Sequence, residues 1–350
     1  MSGSDRRASS TGPSNLNPVS DDLKSQSDIG ALLPAFLEEV RSAKGVIVGT
    51  HLNPDGDAVG AALATSLVLD QLGVDNEVVL SDPPPYYLEF LPGTDRIRME
   101  PASDRHSLAI ILDLEAASRL GRVAPYFEPC GRTIVVDHHI PHEAMGDLRI
   151  VCVKSPATCS ILLDLFANSE IDITPEIAEC LLTGILTDTG NFRYPNTDAH
   201  ALHSAGVLLE RGADLPEITR EVYMQRERPA IDLHAHAVMR IKTAMDGRLA
   251  WTTLPKALFD ELGADEQHSE GIANELLSIK GVSIAAVLRE SNQGSVRGSL
   301  RSLGNYDVAA AAREFGGGGH VNAAGVSLSG SLEDAEAQLI DALKRCLESS

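Results

Sequence analysis

The chain has 350 residues, 43% hydrophobic and 23% charged, enough for two ordinary domains and a substantial core. Its formal net charge of −21 argues against tight non-specific binding of long nucleic acid, where affinity comes mainly from Lys and Arg displacing counterions. No apolar run approaches the ~20 residues of a spanning helix. The five scattered cysteines (Cys130, Cys152, Cys159, Cys180, Cys346) include no CxxC pair, which speaks against zinc ribbons and disulfide frameworks and suits a reducing cytoplasm.

In chain order, residues 1–27 are rich in Ser, Asn, Pro and charge and lack the apolar core of a signal peptide, so they read as a disordered tail. "ALLPAFLEEVRSA" is apolar at helical spacing, and "GVIVGT" (45–50) is short and continuous enough for a buried strand. A helix is predicted over 58–73, closed by a glycine. Further strands are predicted at 77–80, 107–114, 132–137 and 148–153, with helices at 158–168, 175–187 and 198–211. Continuous apolar strands separated by helices predict a parallel sheet covered on both faces. This α/β domain is assigned to 28–211. The charged, Pro-containing stretch 212–240 reads as a partly helical connection. Beyond it, "LAWTTL", "SIAAVLRE" and "SVRGSLRS" read as strands, and "YDVAAAAREFG" and "LEDAEAQLIDALKRCL" as helices, giving a smaller α/β domain at 241–350.

In open parallel sheets the ligand crevice lies beyond the carboxyl ends of the strands. Ionisable residues gather at four such places: "GTHLNPDGDAVG" with His51, Asp55 and Asp57; Asp113 after "AIIL"; "VVDHH" with Asp137, His138 and His139; and Asp188 in "TDTG". Each alone has an ordinary explanation. NPDGD is a good turn, an Asp before a helix is a cap, and histidines at a strand end are usually solvated. What those explanations leave unaccounted for is all four falling in one domain. Carboxylates gathered there without cations would resist ionisation. Two divalent ions remove the conflict, and a thiolate-free set of carboxylates and imidazoles favours Mn, Mg, Co or Fe over structural zinc. Two ions ~3.5–4 Å apart activate water and hold phosphoryl oxygens, which points to phosphate ester or anhydride hydrolysis.

The series HLNPDGD, ILD, DHH and TDTG, with "FGGGGHVNAAG" at 315–325, resembles the motif set of the DHH phosphoesterase superfamily and its DHH-associated C-terminal domain. The resemblance covers nearly the whole chain after the tail and is nearest the bifunctional oligoribonuclease and pAp-phosphatase branch. It implies a DHH domain of parallel-sheet type with flanking helices and a C-terminal substrate-binding domain. By that resemblance His51 and Asp55 hold one metal ion, Asp57, His138 and Asp188 the other, and Asp113 bridges them. His139 then faces the substrate phosphate, making it and Asp113 the catalytic candidates, and Asp137 orients the imidazoles. Where the family often has Ser after the glycine of its first motif, this chain has Ala61, which is expected to alter helix packing rather than ligation.

The glycines from Gly316 to Gly319 are free to turn successive N–H groups toward an anion, as a nest, and His320 follows. Gly317, Gly318, Gly319 and His320 are therefore substrate-binding candidates. Arg301 matches the family's SLRS pattern and can clamp a phosphate. Arg193 is a further candidate, and Arg297 lies four residues before Arg301 on the same strand face. The implied activity is two-metal hydrolysis of short oligoribonucleotides, with removal of the 3′-phosphate from pAp. The cofactors would be two divalent cations, Mn2+ first, with Mg2+ or Co2+ as alternatives. A homodimer is implied, and no long nucleic acid or membrane partner is expected. Alternatives are a soluble linear or cyclic dinucleotide phosphodiesterase and a non-catalytic nucleotide sensor on the same fold. A pyrophosphatase of family II would carry a basic motif where GGGGH stands. A single-strand DNA exonuclease would carry an oligonucleotide-binding domain, and a membrane-bound phosphodiesterase spanning helices.

Overall fold

The computed structural model describes residues 26–141, 143–167, 169–291 and 294–348. Residues 1–25 of the expected tail and His142 lie outside them. The chain divides into two compact units after Glu221.

The first unit opens with a 3-10 helix, Gln26–Leu32, and α1, Leu33–Ser42, whose Phe36 is buried with its ring 5.9 Å from that of Phe166. Five strands follow: β1 Val46–Gly49, β2 Asn76–Val78, β3 Leu108–Leu112, β4 Arg132–Asp137 and β5 Leu148–Val151. They form one all-parallel sheet in the order β2-β1-β3-β4-β5. Every residue of β1 and β3 is buried, as continuous apolar runs require when both faces are covered. On one face Ile47, Ala109, Ile111 and Val135 pack with Phe127 of the short helix α3, Ala124–Phe127. Gly49 makes this possible, because a Cβ there would lie 2.3 Å from the Phe127 ring.

Helix α2, Gly56–Gln71, is buried on nearly all sides, which explains its all-round apolar sequence. It packs on the sheet, on α4, Thr158–Phe166, and above all on α5, Pro175–Asp188. Glycines set the closeness of that last contact. A Cβ on Gly60 would stand 2.4 Å from the Cys180 carbonyl oxygen, and one on Gly56 2.4 Å from Thr187 Oγ1. The start of α2 is thereby held against the end of α5, which brings Asp55 and Asp57 to Asp188. Helices α6, Ala199–Glu210, and α7, Leu215–Thr219, complete the unit. No helix among the described residues is long and apolar enough to cross a membrane.

The second unit carries a six-stranded mixed sheet in the order β10-β11-β9-β8-β7-β6. It begins with a helix rather than a strand. The segment 212–240, expected as a connection, contains α8, Arg228–Met239, whose Leu233 and Ala237 are fully buried in this unit's core. The apolar period that reveals α8 was masked by its Arg, its Asp and the two histidines His234 and His236. The strands are β6 Lys242–Ala244, β7 Leu249–Leu254, β8 Ile284–Glu290, β9 Val296–Ser302, β10 Gly318–His320 and β11 Ala323–Leu328. Helices α8, α9 (Lys256–Leu262) and α10 (Ile272–Leu277) supply one buried cluster with Ala285 and Val287 of β8. Helices α11, Val308–Arg313, and α12, Leu332–Glu348, cover the other face over Ile284, Ala286 and Leu288.

The glycine run departs from the expected nest. The N–H groups of Gly316 and Gly317 donate to Arg313 and Ala312 carbonyls at the end of α11, and Gly318–His320 pairs antiparallel with Ala323–Gly325. Glycine is required here by close approach: a Cβ on Gly317 would lie 2.3 Å from the Gly325 carbonyl oxygen. Gly319 combines a φ of +130° with a similar 2.4 Å approach to Ala323. The residues form the edge of a hairpin, so part of their backbone hydrogen bonding is spent within the sheet.

Candidate metal centre

The carboxyl ends of β1, β3 and β4 and the facing ends of α2 and α5 deliver seven ionisable side chains to one place. Asp55 is the N-cap of α2, its Oδ1 accepting from the N–H groups of Asp57 and Ala58. His51 follows β1 and is buried. Its Nδ1–H donates to the Leu52 carbonyl at 2.8 Å, which turns Nε2 toward Asp113 Oδ2 (3.4 Å) and Asp55 Oδ1 (3.9 Å). His138, just past β4, is fixed in the same way. Its Nδ1 lies 3.2 Å from the Ser155 carbonyl, and Nε2 faces Asp188 (3.4 Å), Asp113 (3.5 Å) and Asp57 (4.0 Å). A backbone acceptor on one ring nitrogen selects the tautomer that leaves the other as a ligand.

Asp113 stands between the two histidines. Its φ of +55° is in the left-handed region, where an ordinary residue is strained. The Asp113 N–H donates to Val136 O, and Thr158 Oγ1 donates to Asp113 Oδ1 at 3.0 Å. Candidate ligand atoms of His51, Asp55 and Asp113 lie within 4.8 Å of one another, and so do those of Asp57, His138 and Asp188. A third such group joins Asp113 and His138 to His139. His139 is committed elsewhere by its other contacts: Asp137 Oδ1 accepts from His139 Nδ1 at 2.7 Å and from its backbone N–H at 3.1 Å. Asp137 therefore orients the His139 ring.

The charge balance of this cluster is unfavourable without a cation. Burial first, then the charges of Asp113 and Asp188, pushes the Asp57 carboxyl well above the ordinary carboxylate range. Burial, Asp55 and Asp113 do the same to Asp188, which sits at the negative end of α5. For Asp113 burial acts upward too, but its hydrogen bond with His51 and the charges of His139, His138 and His51 outweigh it and hold it well below the ordinary range. Burial lowers the affinity of His51 and His139 for protons, yet their acidic neighbours prevail and both are raised, His139 to about 10 through Asp137 and Asp113. Protons thus do what a divalent cation would do better. An oxygen- and imidazole-rich set with no thiolate ligand fits a divalent ion of the Mg, Mn or Co type.

Thr158 was missed by motif reading, although "SPATCS" starts a helix without a capping side chain at Ala157, a sign that the cap comes from elsewhere. Among the phosphate-binding candidates, Arg193 is exposed with Nε donating to the Gly190 carbonyl. Arg301 on β9 is half-buried with Nη1 on the Leu300 carbonyl and a buried Nε that has no partner among the described residues. Arg297 meets Glu266 at 3.2 Å. The backbone of His320 closes β10; its side chain lies outside the described residues.

Comparison with known proteins agrees with this geometry. The model of the DHH family, N-terminal domain, matches residues 45–185, and that of the DHHA1 domain matches 250–349. The chain is 32% identical over 309 residues to the bifunctional oligoribonuclease and PAP phosphatase NrnA of Thermus thermophilus, covering 88% of this chain and 92% of that one. The Bacillus subtilis protein of the same name is 24% identical, with 87% and 95% covered. A crystal structure of an exopolyphosphatase-related protein from Bacteroides fragilis superposes with a TM-score of 0.83 at 29% identity, over 90% of this chain and 96% of that one. On its sequence, its sheet order and its cluster of Asp and His, the chain belongs to the DHH family and pairs a DHH domain with a DHHA1 domain.

Proposed function

We propose that this protein is a two-metal phosphohydrolase that cleaves short oligoribonucleotides to mononucleotides and removes the 3′-phosphate from 3′-phosphoadenosine 5′-phosphate. The observation that carries the reading is Asp113, set between two groups of ligand atoms, His51 with Asp55 and Asp57 with His138 and Asp188. The names of the relatives, oligoribonuclease and PAP phosphatase, supply the substrate class. In this reading His51 and Asp55 hold one ion, Asp57, His138 and Asp188 the other, and Asp113 is shared. Two divalent ions, Mn2+ by preference, would activate water and spread the charge that develops on phosphorus.

The protein's own groups do the rest. Asp137 holds the His139 ring through Nδ1, so Nε2 is the atom offered to a phosphate oxygen. The hydrogen bond and charge of Asp137, with the charge of Asp113, raise the ring's affinity for protons, so at neutral pH the protonated ring would be the donor to that oxygen. Asp113 remains ionised under the same conditions, as a shared ligand must. Residues 28–211 would supply the chemistry and 241–350 the grip on substrate, through Arg301, the Gly317–Gly319 edge and His320, with Arg193 as a further phosphate contact. A substrate of a few nucleotides has few phosphates to neutralise, which suits a chain of net charge −21 working in the cytoplasm.

The test uses the full-length protein with Mn2+, a ladder of RNAs from two to ten nucleotides, and 3′-phosphoadenosine 5′-phosphate. Mononucleotide release should be fastest for the shortest RNAs, stop with chelator, and vanish in Asp113→Ala. Metal-loaded wild type inert on both the short RNAs and the bisphosphate would refute the proposal.

A further inference from the structure

Behind the candidate ligands lies a residue that belongs to no motif. Thr158 is the first residue of α4 and has no exposed surface. Its backbone N–H donates to Asp57 Oδ2 at 2.6 Å, and its hydroxyl donates to Asp113 Oδ1 at 3.0 Å. The next N–H, of Cys159, donates to the other Asp57 oxygen at 2.9 Å. Asp57 is thus capped on both oxygens by the start of a helix 101 and 102 residues away in sequence, while α4 has no side-chain cap of its own. Two N–H donors at the positive end of a helix favour the ionised carboxylate and fix its plane. Gly184 is small for the same reason: a Cβ there would lie 2.3 Å from Cys159 Sγ and 2.7 Å from Asp57 Oδ1.

We infer that Thr158 is the positioning residue of the metal centre: it ties Asp57 to Asp113 and so sets the spacing and orientation of the two ligand groups at once. Being fully buried it touches no substrate, so its role is exercised through the two carboxylates. The hydroxyl gives one lone pair direction of Asp113 Oδ1 a fixed partner, leaving the remaining ones to ligate. The Asp113 backbone does not by itself fix the carboxylate plane, and the hydroxyl supplies that constraint. The inference rests on the metal-centre reading above, but not on which nucleotide is cleaved.

The experiment is a calorimetric titration of the chelator-stripped, full-length protein with Mn2+, with thermal melts in EDTA for each variant. Thr158→Val keeps shape and backbone N–H but removes the hydroxyl. It should bind Mn2+ about 10- to 100-fold more weakly, the usual cost of losing a partner behind a metal ligand. Thr158→Ser restores the hydroxyl and should bind within about threefold of wild type. Unchanged affinity in the Val variant overturns the inference. So does a Ser variant as weak as Val; if Val proves too unstable to purify, Thr158→Ala removes the same hydroxyl, and unchanged affinity in it overturns the inference equally. Dinucleotide turnover by the wild type is measured on the same preparation. An active wild type with an unaffected Val variant sinks the role of Thr158 alone, whereas a wild type that binds no Mn2+ sinks both readings.

Discussion

Gly60→Ala tests the claim that helix proximity builds the site. The added Cβ would sit 2.4 Å from the Cys180 carbonyl oxygen. An unstrained contact between carbon and a carbonyl oxygen needs ~3.3 Å or more, so α2 and α5 must part by roughly 1 Å. The obstacle is backbone, which cannot swing aside like a side chain. Overpacking typically costs ~1–3 kcal/mol, and a backbone obstacle places this case near 3. For a unit of this size 1 kcal/mol moves the melting temperature by ~2–4 °C, so a fall of ~6–12 °C is expected. The same displacement shifts Asp188 on α5 away from Asp55 and Asp57 on α2, and a misplacement of ~1 Å can lower turnover about 100-fold. Gly206→Ala on α6 is the control. No atom lies within 4 Å of the Cβ it would add, so it should gain a few tenths to ~1 kcal/mol from helix propensity. Differential scanning calorimetry in EDTA, followed by Mn2+ titration, measures both effects. A Gly60→Ala protein melting within ~1 °C of wild type with unchanged Mn2+ affinity would show that the close crossing positions nothing.

Asp137→Asn should pull the His139 proton affinity down from about 10, since the hydrogen bond and charge of Asp137 raise it together with the charge of Asp113. The alkaline limb of the rate profile should then move to lower pH, with turnover down roughly 10- to 100-fold; an unmoved limb refutes His139 as the donor. A divalent ion must displace the proton from His51, which is raised above the ordinary ~6.5, so Mn2+ affinity should rise with pH across neutrality. Titration in buffers of different ionisation enthalpy should register proton release; none at pH 7 would contradict the assignment. His200, 3.0 Å from Asp164, is also raised, chiefly by that contact. Its share of stability is fully present below the ordinary histidine value of ~6.5 and is lost as pH climbs through the raised one, so His200→Gln should flatten the melting temperature over that interval.

Much of the fold could be read from the chain because its signals were local. Apolar runs such as "AIIL" have no polar alternation, and a strand without alternation is covered on both faces. Helix α2 lacks an amphipathic period because α5 buries its outer side as well. Other features depend on partners far away in sequence. Thr158 meets Asp113 across 45 residues, and nothing near either predicts it. The left-handed Asp113 is set by the strand beside it rather than by its own type, since the Val136 carbonyl takes its N–H. The glycine run was misread because freedom of φ serves a nest and a tight hairpin alike. Only the register against Ala323–Gly325 separates them.

The carboxylates at the centre differ in a way their identical chemistry conceals. Asp113, ringed by three imidazoles, is held ionised, while Asp57 and Asp188, each facing other carboxylates, are pushed toward the protonated form. Groups whose surroundings drive their proton affinities apart have divided their tasks. A shared ligand must be charged at all times, because each neighbouring group depends on it. Ligands at the margin, by contrast, can exchange a proton for a cation, which makes loading reversible and sensitive to pH. Asp57, like Asp55, has its carboxylate capped by two N–H groups at the start of a helix, and these offset part of its burial. The fold therefore supplies positive potential by two routes, from imidazoles around Asp113 and from a helix end behind Asp57. Asp188 faces the His138 ring at 3.4 Å but has no helix start behind it, and it lies at the negative end of α5. Asp57 and Asp188 are thus the carboxylates whose ionisation a bound cation would favour.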